Sequence, residues 1–566
     1  MPMSGDMRLR QFILALVALA SICVGVTAQR GRDHAHAQAV GTLPARPELP
    51  VPAAKPQPKP KLLHVPGLKR PVAATPIVVK PRVQPRAHVH KTVAASRAPV
   101  AKRVHAGPKR AVKARPGKIT QVEVDNRSYA DTPPPPLEPL QISNVQVSAL
   151  TSSSAQITWQ TNVPTQEQTA FGLDAPTVWT PPSSAVVIDH TSTITGLEYS
   201  TTYTAYLHAV DEWNRAQTAT VTFTTGPMLD QSGARTSGNS IFVDDRPFFP
   251  TAVWQQCSDM FGSNISDGIN LFMGDGCKDD AELPDRLGGR AYSVVDSEHA
   301  NATGRGVIGW YFPDEWDYYL KSNVTRDDLA GDIPSSRPGR ISFLTLTNHF
   351  YSHAAPLPQG KGMYPVLFTI PDVIGFDLYP LQVWCRPAFG DVYDAQSELR
   401  SDTGGKPTFQ WIEVAPMEQP CHKNLSLDPT PDTVRAEAWL SIAGGADGIG
   451  YFPNHWSDPI GAQITQTNRE IKALTQALLA PIAASSSDSP AVRVSARSLN
   501  GALYVIAVNT SSATVQARIN VDGIAGRSAT VLGGGSPAVG ADDKGFSDTF
   551  GPLAARVYVI PPAGWS

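Results

Sequence analysis

Residues 306–316 read GVIGWYFPDEW, a short apolar run of strand character that ends in two carboxylates and a tryptophan. Similar apolar runs that end in acidic or aromatic residues are found at residues 372–378 (DVIGFDL), 407–413 (PTFQWIE) and 446–452 (ADGIGYF). Short apolar runs bounded by turn residues are typical of strands that are covered on both faces, as in a parallel sheet. We therefore predict a buried sheet whose strands end in polar and aromatic side chains.

Eight such runs alternate with helix-like or loop segments in the body of the chain, which we place at residues 238–484. The predicted strands are 249–254, 268–273, 291–296, 306–312, 340–346, 372–378, 407–413 and 446–452. The clearest helices are 431–443, which begins at a proline, and 461–480. Eight β/α units in about 240 residues predict a TIM (β/α)8 barrel, with its active site at the carboxyl ends of the strands. A doubly wound open sheet is the alternative, but it calls for a Gly-rich turn after the first strand, where this chain has Trp254-Gln-Gln-Cys257.

Length and charge indicate several folded units with a tail of different character. The chain has 566 residues, which is too long for one hydrophobic core, and its apolar (41%) and charged (17%) fractions are those of a globular protein. Residues 29–118 hold 20 Lys and Arg against two acidic residues, a balance of +18, although the whole chain is at −2. With +1 in residues 1–28, residues 119–566 are left with −21. The sequence is that of a basic tail on an acidic body.

The first 28 residues have the layout of a secretory signal peptide. Arg8 and Arg10 precede an apolar run that ends near the small-residue site Val26-Thr27-Ala28. The run is short for a membrane span, and an uncleaved anchor is the alternative. The expected location is outside the cell or in its envelope, with no transmembrane span once the signal is cleaved.

The linker at residues 29–138 is predicted to be disordered. Its residues 29–118 contain 15 prolines and no Phe, Trp or Tyr, so they cannot bury enough apolar surface to offset the entropy of ordering. The positive charge suits anionic polymers of a cell envelope, and a solvated spacer is the alternative. Because no aromatic residue is present to stack on bases, we expect no specific nucleic-acid partner.

Four cysteines remain if Cys23 leaves with the signal peptide. An even number in an oxidising compartment predicts two disulfides. Cys257 and Cys277 follow adjacent predicted strands, and so do Cys385 and Cys421, which predicts the pairs Cys257–Cys277 and Cys385–Cys421. No cysteine or histidine spacing indicates a metal, and we expect no cofactor.

Two β-rich segments flank the body. Residues 139–226 alternate apolar and polar side chains in short strands and resemble a fibronectin type III module, with Trp159 at the position of the core tryptophan and Tyr203 in a corner motif. Residues 485–566 alternate in the same way and resemble the small β-sandwich that closes many barrel glycosidases. Neither resemblance predicts a catalytic group.

The body resembles the retaining glycoside hydrolases that carry glutamates on strands 4 and 7 of a (β/α)8 barrel. The resemblance rests on GWYFPDEW (309–316), FQWIE (409–413) and the opening FVDDRPFFP (242–250). It implies that Glu315 is the general acid/base and that Glu413 is the nucleophile. The chain departs from the usual Asn-Glu-Pro of strand 4, since it has Asp314-Glu315-Trp316. Glu418 is five residues from Glu413 and is the alternative nucleophile if strand 7 has a different register.

The residues themselves also suit glycoside cleavage, which needs one protonated and one ionised carboxyl group on either side of the scissile bond. Aromatic faces stack on sugar rings, and polar groups bind hydroxyls or tune the carboxyls. The candidate sugar-binding residues are Trp310, Tyr311, Asp314, Trp316, Asn348, His349, Asp377, Tyr379, Trp411, His455 and Trp456. The leading hypothesis is a secreted glycoside hydrolase acting by double displacement on a polysaccharide or oligosaccharide. The alternative is a catalytically silent carbohydrate-binding or envelope protein on the same scaffold.

Overall fold

The structure, a computed structural model, describes residues 138–417, 421, 427–534, 539–540 and 542–565. All of these residues belong to one compact unit. The predicted signal peptide, nearly all of the predicted linker, and Glu418 lie outside them. Across the described ranges, no helix is both long enough and apolar enough to cross a membrane.

Eight parallel strands close into a barrel, which confirms the predicted architecture. Each strand pairs with its sequence neighbours, and the last strand pairs with the first through Thr251–Ile449, Ala252–Gly450 and Val253–Tyr451. The strands are β10 (Thr251–Gln256), β11 (Leu271–Asp275), β12 (Tyr292–Asp296), β13 (Val307–Tyr311), β14 (Ile341–Thr347), β15 (Val373–Asp377), β16 (Thr408–Glu413) and β17 (Gly448–Phe452). Each lies on one of the eight runs predicted from the sequence, because apolar residues with strand propensity fill the two covered faces.

Two glycines make room for aromatic rings inside the barrel. A Cβ atom on Gly375 of β15 would lie 2.2 Å from the ring of Phe409, and one on Gly450 of β17 would lie 2.3 Å from the ring of Trp411. Both rings belong to β16, which runs between these two strands. The neighbouring strands therefore give up side chains so that β16 can fill the interior with large ones.

The helices around the barrel are uneven in length. Those that follow the first five strands are short, whereas those that follow the last three have 14, 14 and 21 residues. The helices are α1 (Phe261–Ser266), α2 (Leu283–Leu287), α3 (Trp316–Tyr319), α4 (Tyr364–Leu367), α5 (Phe389–Asp402), α6 (Pro431–Gly444) and α7 (Asp458–Leu478), with 3-10 turns at Asp280–Glu282, Ser297–His299 and Asn348–Phe350. The helices predicted at 431–443 and 461–480 are α6 and α7. At the start of α6, Thr430 and Thr433 form a reciprocal capping box on either side of Pro431.

A three-stranded sheet closes the amino-terminal end of the barrel. It consists of β7 (Ala234–Ser237), β8 (Ser240–Val243) and β9 (Arg246–Phe248), and its apolar side chains join the same core cluster as those of the barrel interior. Arg246 is buried and forms an ion pair with Glu198 at 2.7 Å and a hydrogen bond to the Tyr292 hydroxyl at 2.8 Å. This arginine ties the closing sheet to the segment that precedes it and to the barrel.

The segment before the closing sheet is an antiparallel sheet built around one long strand. Its strands are β1 (Ile142–Ser148), β2 (Ser154–Gly172), β3 (Val178–Trp179), β4 (Ser183–Thr195), β5 (Thr202–Val210) and β6 (Ala216–Thr224). The first half of β2 pairs with β1 and β4, and the second half pairs with β5. Trp159 is buried against His190, and the Tyr203 hydroxyl accepts a hydrogen bond from the Glu198 N–H at 3.0 Å.

The carboxyl-terminal segment forms two antiparallel sheets around their own core. One contains β18 (Ile482–Ala483), β20 (Val492–Leu499), β21 (Ala502–Asn509), β26 (Ala555–Ile560), β23 (Ser528–Val531) and β24 (Val539–Gly540). The other contains β19 (Ser485–Ser487), β22 (Val515–Val521) and β25 (Gly545–Phe550).

The amino-terminal sheet, the barrel and the carboxyl-terminal sheets contact one another directly. Thr177 donates to the Ala473 carbonyl oxygen of α7 at 2.8 Å, and the Tyr504 hydroxyl of β21 donates to the Thr177 carbonyl oxygen at 2.8 Å. Near the end of the chain, the Trp565 indole N–H donates to Gln168 at 2.8 Å, and its ring meets that of Trp179 edge-on. Trp179, barrel residues and Tyr504 share one continuous apolar core. The amino-terminal sheet is therefore part of the packed body and not a detached spacer.

Candidate active site

A cavity of about 370 Å³ opens at the carboxyl ends of the barrel strands. Its walls come from the ends of β10, β13, β14, β15, β16 and β17 and from the loops that follow them. The lining residues are Trp254, Asp314, Glu315, Tyr318, Thr345, Thr347, Asn348, His349, Asp377, Tyr379, Val383, Trp411, Met417 and Phe452. This is the end of the barrel at which the sequence placed the active site.

Glu315 and Asp377 meet in this cavity through a hydrogen bond between their carboxyl groups. Glu315 follows β13, the fourth barrel strand, and Asp377 ends β15, the sixth. Glu315 has a backbone φ of +48°, in the left-handed region that a residue with a side chain seldom adopts. Such a conformation persists only where the surrounding structure holds it, and it is frequent at functional sites.

Two carboxyl groups in contact cannot both carry a charge at low cost, so the pair retains a proton. Burial raises the pKa of Asp377 well above its usual range, and the charge and hydrogen bond of Glu315 raise it further. Burial and the charge of Asp317 also raise the pKa of Glu315, but there the hydrogen bond from Asp377 and the proximity of His349 act in the opposite direction. The two carboxyl groups therefore share a proton, and their surroundings favour Asp377 as the group that carries it.

A polar layer behind the pair holds the ends of β14 and β15 in place. Asp317 is fully buried and accepts hydrogen bonds from the Thr347 N–H at 3.0 Å and the Tyr364 hydroxyl at 2.8 Å, as well as from the Thr347 hydroxyl. The Asn348 side chain donates to the Asp377 carbonyl oxygen at 3.0 Å. These bonds tie the strand that carries Asp377 to the strand beside it.

Aromatic rings form the remaining walls. Trp254 meets Trp411 edge-on with ring centres 5.9 Å apart, and the Trp411 indole N–H donates to the Thr345 hydroxyl at 3.1 Å. Tyr379 stacks on Phe452 at 5.7 Å. Flat apolar faces beside a carboxyl pair suit a ligand with both apolar faces and hydroxyl groups, such as a sugar ring.

The sequence identified about half of the cavity's lining. Of the predicted site residues, the structure brings together Asp314, Glu315, Asn348, His349, Asp377, Tyr379 and Trp411. Sequence reasoning missed Trp254, Tyr318, Thr345, Thr347, Val383, Met417 and Phe452. Trp254 and Phe452 end predicted strands 1 and 8, so their position at the strand ends was a usable signal. Val383 and Met417 stand in loops, and no pattern in the sequence marked them.

Glu413, the predicted nucleophile, is not among the cavity residues. Its side chain is 0% exposed and accepts hydrogen bonds from the Leu381 N–H at 2.8 Å and the Gln382 N–H at 2.9 Å, and it contacts Glu437 of α6. A nucleophile would present its carboxyl group to a sugar. The carboxyl group of Glu413 is instead hydrogen-bonded to the backbone amides that follow β15 and to Glu437 of α6.

Five other predicted sugar-binding residues also lie away from the cavity lining. Trp310 packs with Val295 and Ala300 in a separate small cluster. The Tyr311 hydroxyl donates to Asp280 at 2.8 Å, and Trp316 stacks on Phe312 within the main core. The Trp456 indole N–H donates to Asp267 at 3.3 Å, while His455 is exposed to solvent. Trp310, Tyr311, Trp316 and Trp456 therefore contribute to packing and to hydrogen bonds outside the cavity lining.

Both predicted disulfides are confirmed. Cys257–Cys277 joins the segments after β10 and β11, and Cys385–Cys421 joins those after β15 and β16, each with a Cα–Cα distance of 5.2 Å. The second bond lies between two segments that line the cavity, one containing Val383 and the other Met417. It therefore restrains both sides of that wall.

A larger cavity, of about 760 Å³, lies among the segments that precede β13 and β14. Its lining includes Arg305, Arg337 and Arg340, and its one acidic residue, Asp230, forms an ion pair with Arg305 at 3.0 Å. It has no pair of carboxyl groups. The chemistry of acid and base is therefore concentrated in the smaller cavity.

Comparison with known proteins gave matches to solved structures alone. No protein-family profile matches the chain, and neither does any curated protein sequence. A Bacteroides fragilis protein assigned as an alpha-galactosidase is 11% identical over 75% of this chain and 97% of its own, with a TM-score of 0.38, and a second one, assigned as an alpha-galactosidase/melibiase, is 12% identical over 75% and 98%, also at 0.38. A beta-galacturonidase from Eisenbergiella tayi is 10% identical over 59% of this chain and 72% of its own, at 0.28. At such identities and TM-scores, the likeness says nothing about activity.

Proposed function

We propose that this protein is a glycoside hydrolase whose reacting groups are Glu315 and Asp377. The observation that carries the proposal is the hydrogen-bonded carboxyl pair in an aromatic-walled cavity at the carboxyl end of a (β/α)8 barrel. One protonated and one ionised carboxyl group are what glycoside cleavage requires. The pair takes the place of Glu315 and Glu413, the combination that the sequence favoured.

In the first step, Asp377 gives its proton to the glycosidic oxygen while the Glu315 carboxylate attacks the anomeric carbon. The bond to the leaving alcohol breaks, and a glycosyl ester of Glu315 forms. In the second step, the Asp377 carboxylate takes a proton from water, the water oxygen attacks the anomeric carbon, and the ester bond breaks. The sugar leaves with retained configuration, and both carboxyl groups return to their starting states.

This mechanism requires the two carboxyl groups to separate when a sugar enters. Retaining enzymes hold them roughly 5–5.5 Å apart, which is more than a direct hydrogen bond allows. The backbone of Glu315 is in a strained conformation, with φ of +48°. A change of rotamer or backbone conformation at that residue would separate the two carboxyl groups. The rate should follow a bell-shaped pH profile, because Glu315 must be ionised and Asp377 protonated.

The test is a comparison of Glu315→Gln and Asp377→Asn on a panel of aryl glycosides and polysaccharides. Glu315→Gln should abolish turnover on every substrate, since an amide cannot form the ester. Asp377→Asn should still react with dinitrophenyl glycosides, whose leaving group needs no proton, and azide should restore release of the sugar. Asp259→Asn, an exposed change at the same end of the barrel, is the matched control and should leave the rate unchanged.

Three outcomes would contradict parts of the proposal. Azide rescue of a Glu315 variant in place of an Asp377 variant would exchange the two roles. Loss of activity in neither variant would remove the pair from the mechanism. A full-length protein that binds sugars and hydrolyses none of the panel would favour the catalytically silent carbohydrate-binding protein.

We also propose that the chain is exported and that its amino-terminal sheet is a fibronectin type III module. Export is supported by the signal-like first 28 residues and by two disulfides, which persist in oxidising compartments. The module is supported by the buried Trp159 and by the Tyr203 hydroxyl that accepts a hydrogen bond from a backbone group upstream. Binding of the basic tail to anionic polymers stays a prediction.

A further inference from the structure

Glu413 is built into the structure as an anchor. Its two carboxylate oxygens accept hydrogen bonds from consecutive backbone amides, Leu381 and Gln382, at 2.8 and 2.9 Å. On its other side it forms a hydrogen bond with the carboxyl group of Glu437, which α6 holds at 1% exposure. A group that receives two backbone N–H donors is fixed in place and also fixes the segment that donates them.

The segment held by Glu413 forms part of the cavity wall. Residues 378–383 follow Asp377 directly and contain Tyr379 and Val383, both of which line the cavity. In the same segment, the Gln382 side chain accepts from the Met417 N–H at 2.8 Å and donates to the Leu427 carbonyl oxygen at 2.7 Å. The position of the Glu413 side chain therefore affects the positions of three cavity residues, Tyr379, Val383 and Met417.

Charge makes this contact depend on a proton. Two buried carboxyl groups in contact are stable together only while one of them is protonated. Burial raises the pKa of Glu437 well above its usual range, and the charge and side-chain hydrogen bond of Glu413 raise it further, while the Glu413 backbone N–H opposes the shift. Burial also raises the pKa of Glu413, although its two N–H donors and Glu437 oppose that shift. Among the described residues, Glu437 is the titratable group in contact with Glu413, and the charge of Glu413 in turn raises the pKa of Tyr379.

We propose that Glu413 and Glu437 form a positioning pair that shares one proton, holds residues 378–383 in the cavity wall, and releases them when that proton is lost at alkaline pH. Glu437 is the proton donor and Glu413 the acceptor, because Glu413 receives two backbone N–H donors whereas Glu437 receives one, from Glu413 itself. Only the consequence of this pair for catalytic rate rests on the proposed function.

The direction of the pH effect follows from proton binding. The folded state keeps a proton on Glu437 at pH values where an unfolded glutamate, with a pKa of about 4.3, has lost it. Between that value and the raised pKa, the folded state binds more protons than the unfolded state, so the free energy of unfolding falls as pH rises. The wall segment should be most firmly held on the acidic side of this window and released on the alkaline side.

Hydrogen exchange of the Leu381 and Gln382 amides tests the pair without any substrate. In the wild-type chain, protection corrected for the intrinsic exchange rate should be constant near neutral pH and fall at least tenfold as the pair loses its proton. In Glu437→Gln, the amide group still donates to Glu413 but cannot titrate, so the alkaline fall should vanish. In Glu413→Gln, one oxygen must serve two N–H donors, and protection should be at least tenfold lower at every pH.

An unchanged alkaline fall in Glu437→Gln would overturn the shared proton, and wild-type protection in Glu413→Gln would overturn the anchor. If Glu413→Gln fails to fold, Glu437→Gln alone decides the question. Where hydrolysis is measurable, Glu437→Gln should keep the wild-type kcat near neutral pH. Its KM should rise less steeply at alkaline pH than the KM of the wild type. Failure of the proposed function would leave the exchange results intact, whereas failure of the pair would leave the roles of Glu315 and Asp377 intact.

Discussion

Gly450 permits the Trp411 ring to lie across the barrel wall, so adding one methyl group there should disturb the cavity. In Gly450→Ala, the new Cβ atom would begin 2.3 Å from the ring, whereas ordinary contact begins at 3.4 Å. The ring would have to withdraw by about 1.1 Å, or β17 would have to move by a similar distance. Either change strains the hydrogen bond of 3.1 Å between the Trp411 indole and Thr345. We expect a loss of about 1–3 kcal/mol in stability, the usual cost of overpacking a core.

The second consequence concerns the ligand. Trp411 is a cavity wall, and displacement of a positioning group by about 1 Å can lower a catalytic rate by roughly a hundredfold. We therefore expect kcat/KM to fall by roughly 10- to 100-fold, alongside a lower midpoint of thermal unfolding measured by calorimetry. Gly262→Ala is the control, because a Cβ atom on that exposed glycine of α1 meets nothing within 4 Å. A Gly450→Ala protein with an unchanged midpoint and unchanged kinetics would show that Trp411 is not held across Gly450.

Two further predictions concern the links between segments. Replacing Cys385 and Cys421 by serine opens a 36-residue loop and should cost about 4 kcal/mol of stability by the chain-entropy relation. The unfolding midpoint should fall to that of wild-type protein in which this disulfide is reduced and Cys257–Cys277 is intact. An unaltered midpoint would contradict the prediction. Arg246→Met leaves Glu198 nearly buried without its partner and should cost about 3–5 kcal/mol, and adding Glu198→Gln should restore part of the loss in calorimetry; two losses that simply add would show that the residues do not interact.

The barrel was predictable because its signal is local and repeated. Each strand is a short apolar run that ends in polar or aromatic residues, and the eight predicted runs coincide with β10 to β17. The disulfide pairs followed from the same order, since the cysteines of each pair come after adjacent strands. Glu315 and Asp377 were identified for the same reason, as acids at strand ends.

The roles within the site were less predictable, because they depend on where a side chain points after its strand has ended. Glu413 stands at a strand end as Asp377 does, yet two backbone amides from the loop after β15 and a glutamate from α6 hold it outside the cavity. Trp316 and Trp456 look like sugar platforms in the sequence, but they pack on Phe312 and bond to Asp267. Except for the stacking of Trp316 on Phe312, these contacts join residues far apart in the chain, so no local sequence pattern predicts them.

The contacts of Thr177, Trp179 and Tyr504 have a consequence for how such a protein can be divided and recombined. A gene segment that encoded residues 238–484 alone would expose apolar surface that two flanking segments now cover, so the barrel cannot be exchanged between chains as an independent cassette. Separating the three segments would leave the Thr177 and Tyr504 hydroxyls without their backbone acceptors, so we expect the segments to be inherited together. We therefore expect the barrel to need both flanking segments in order to fold.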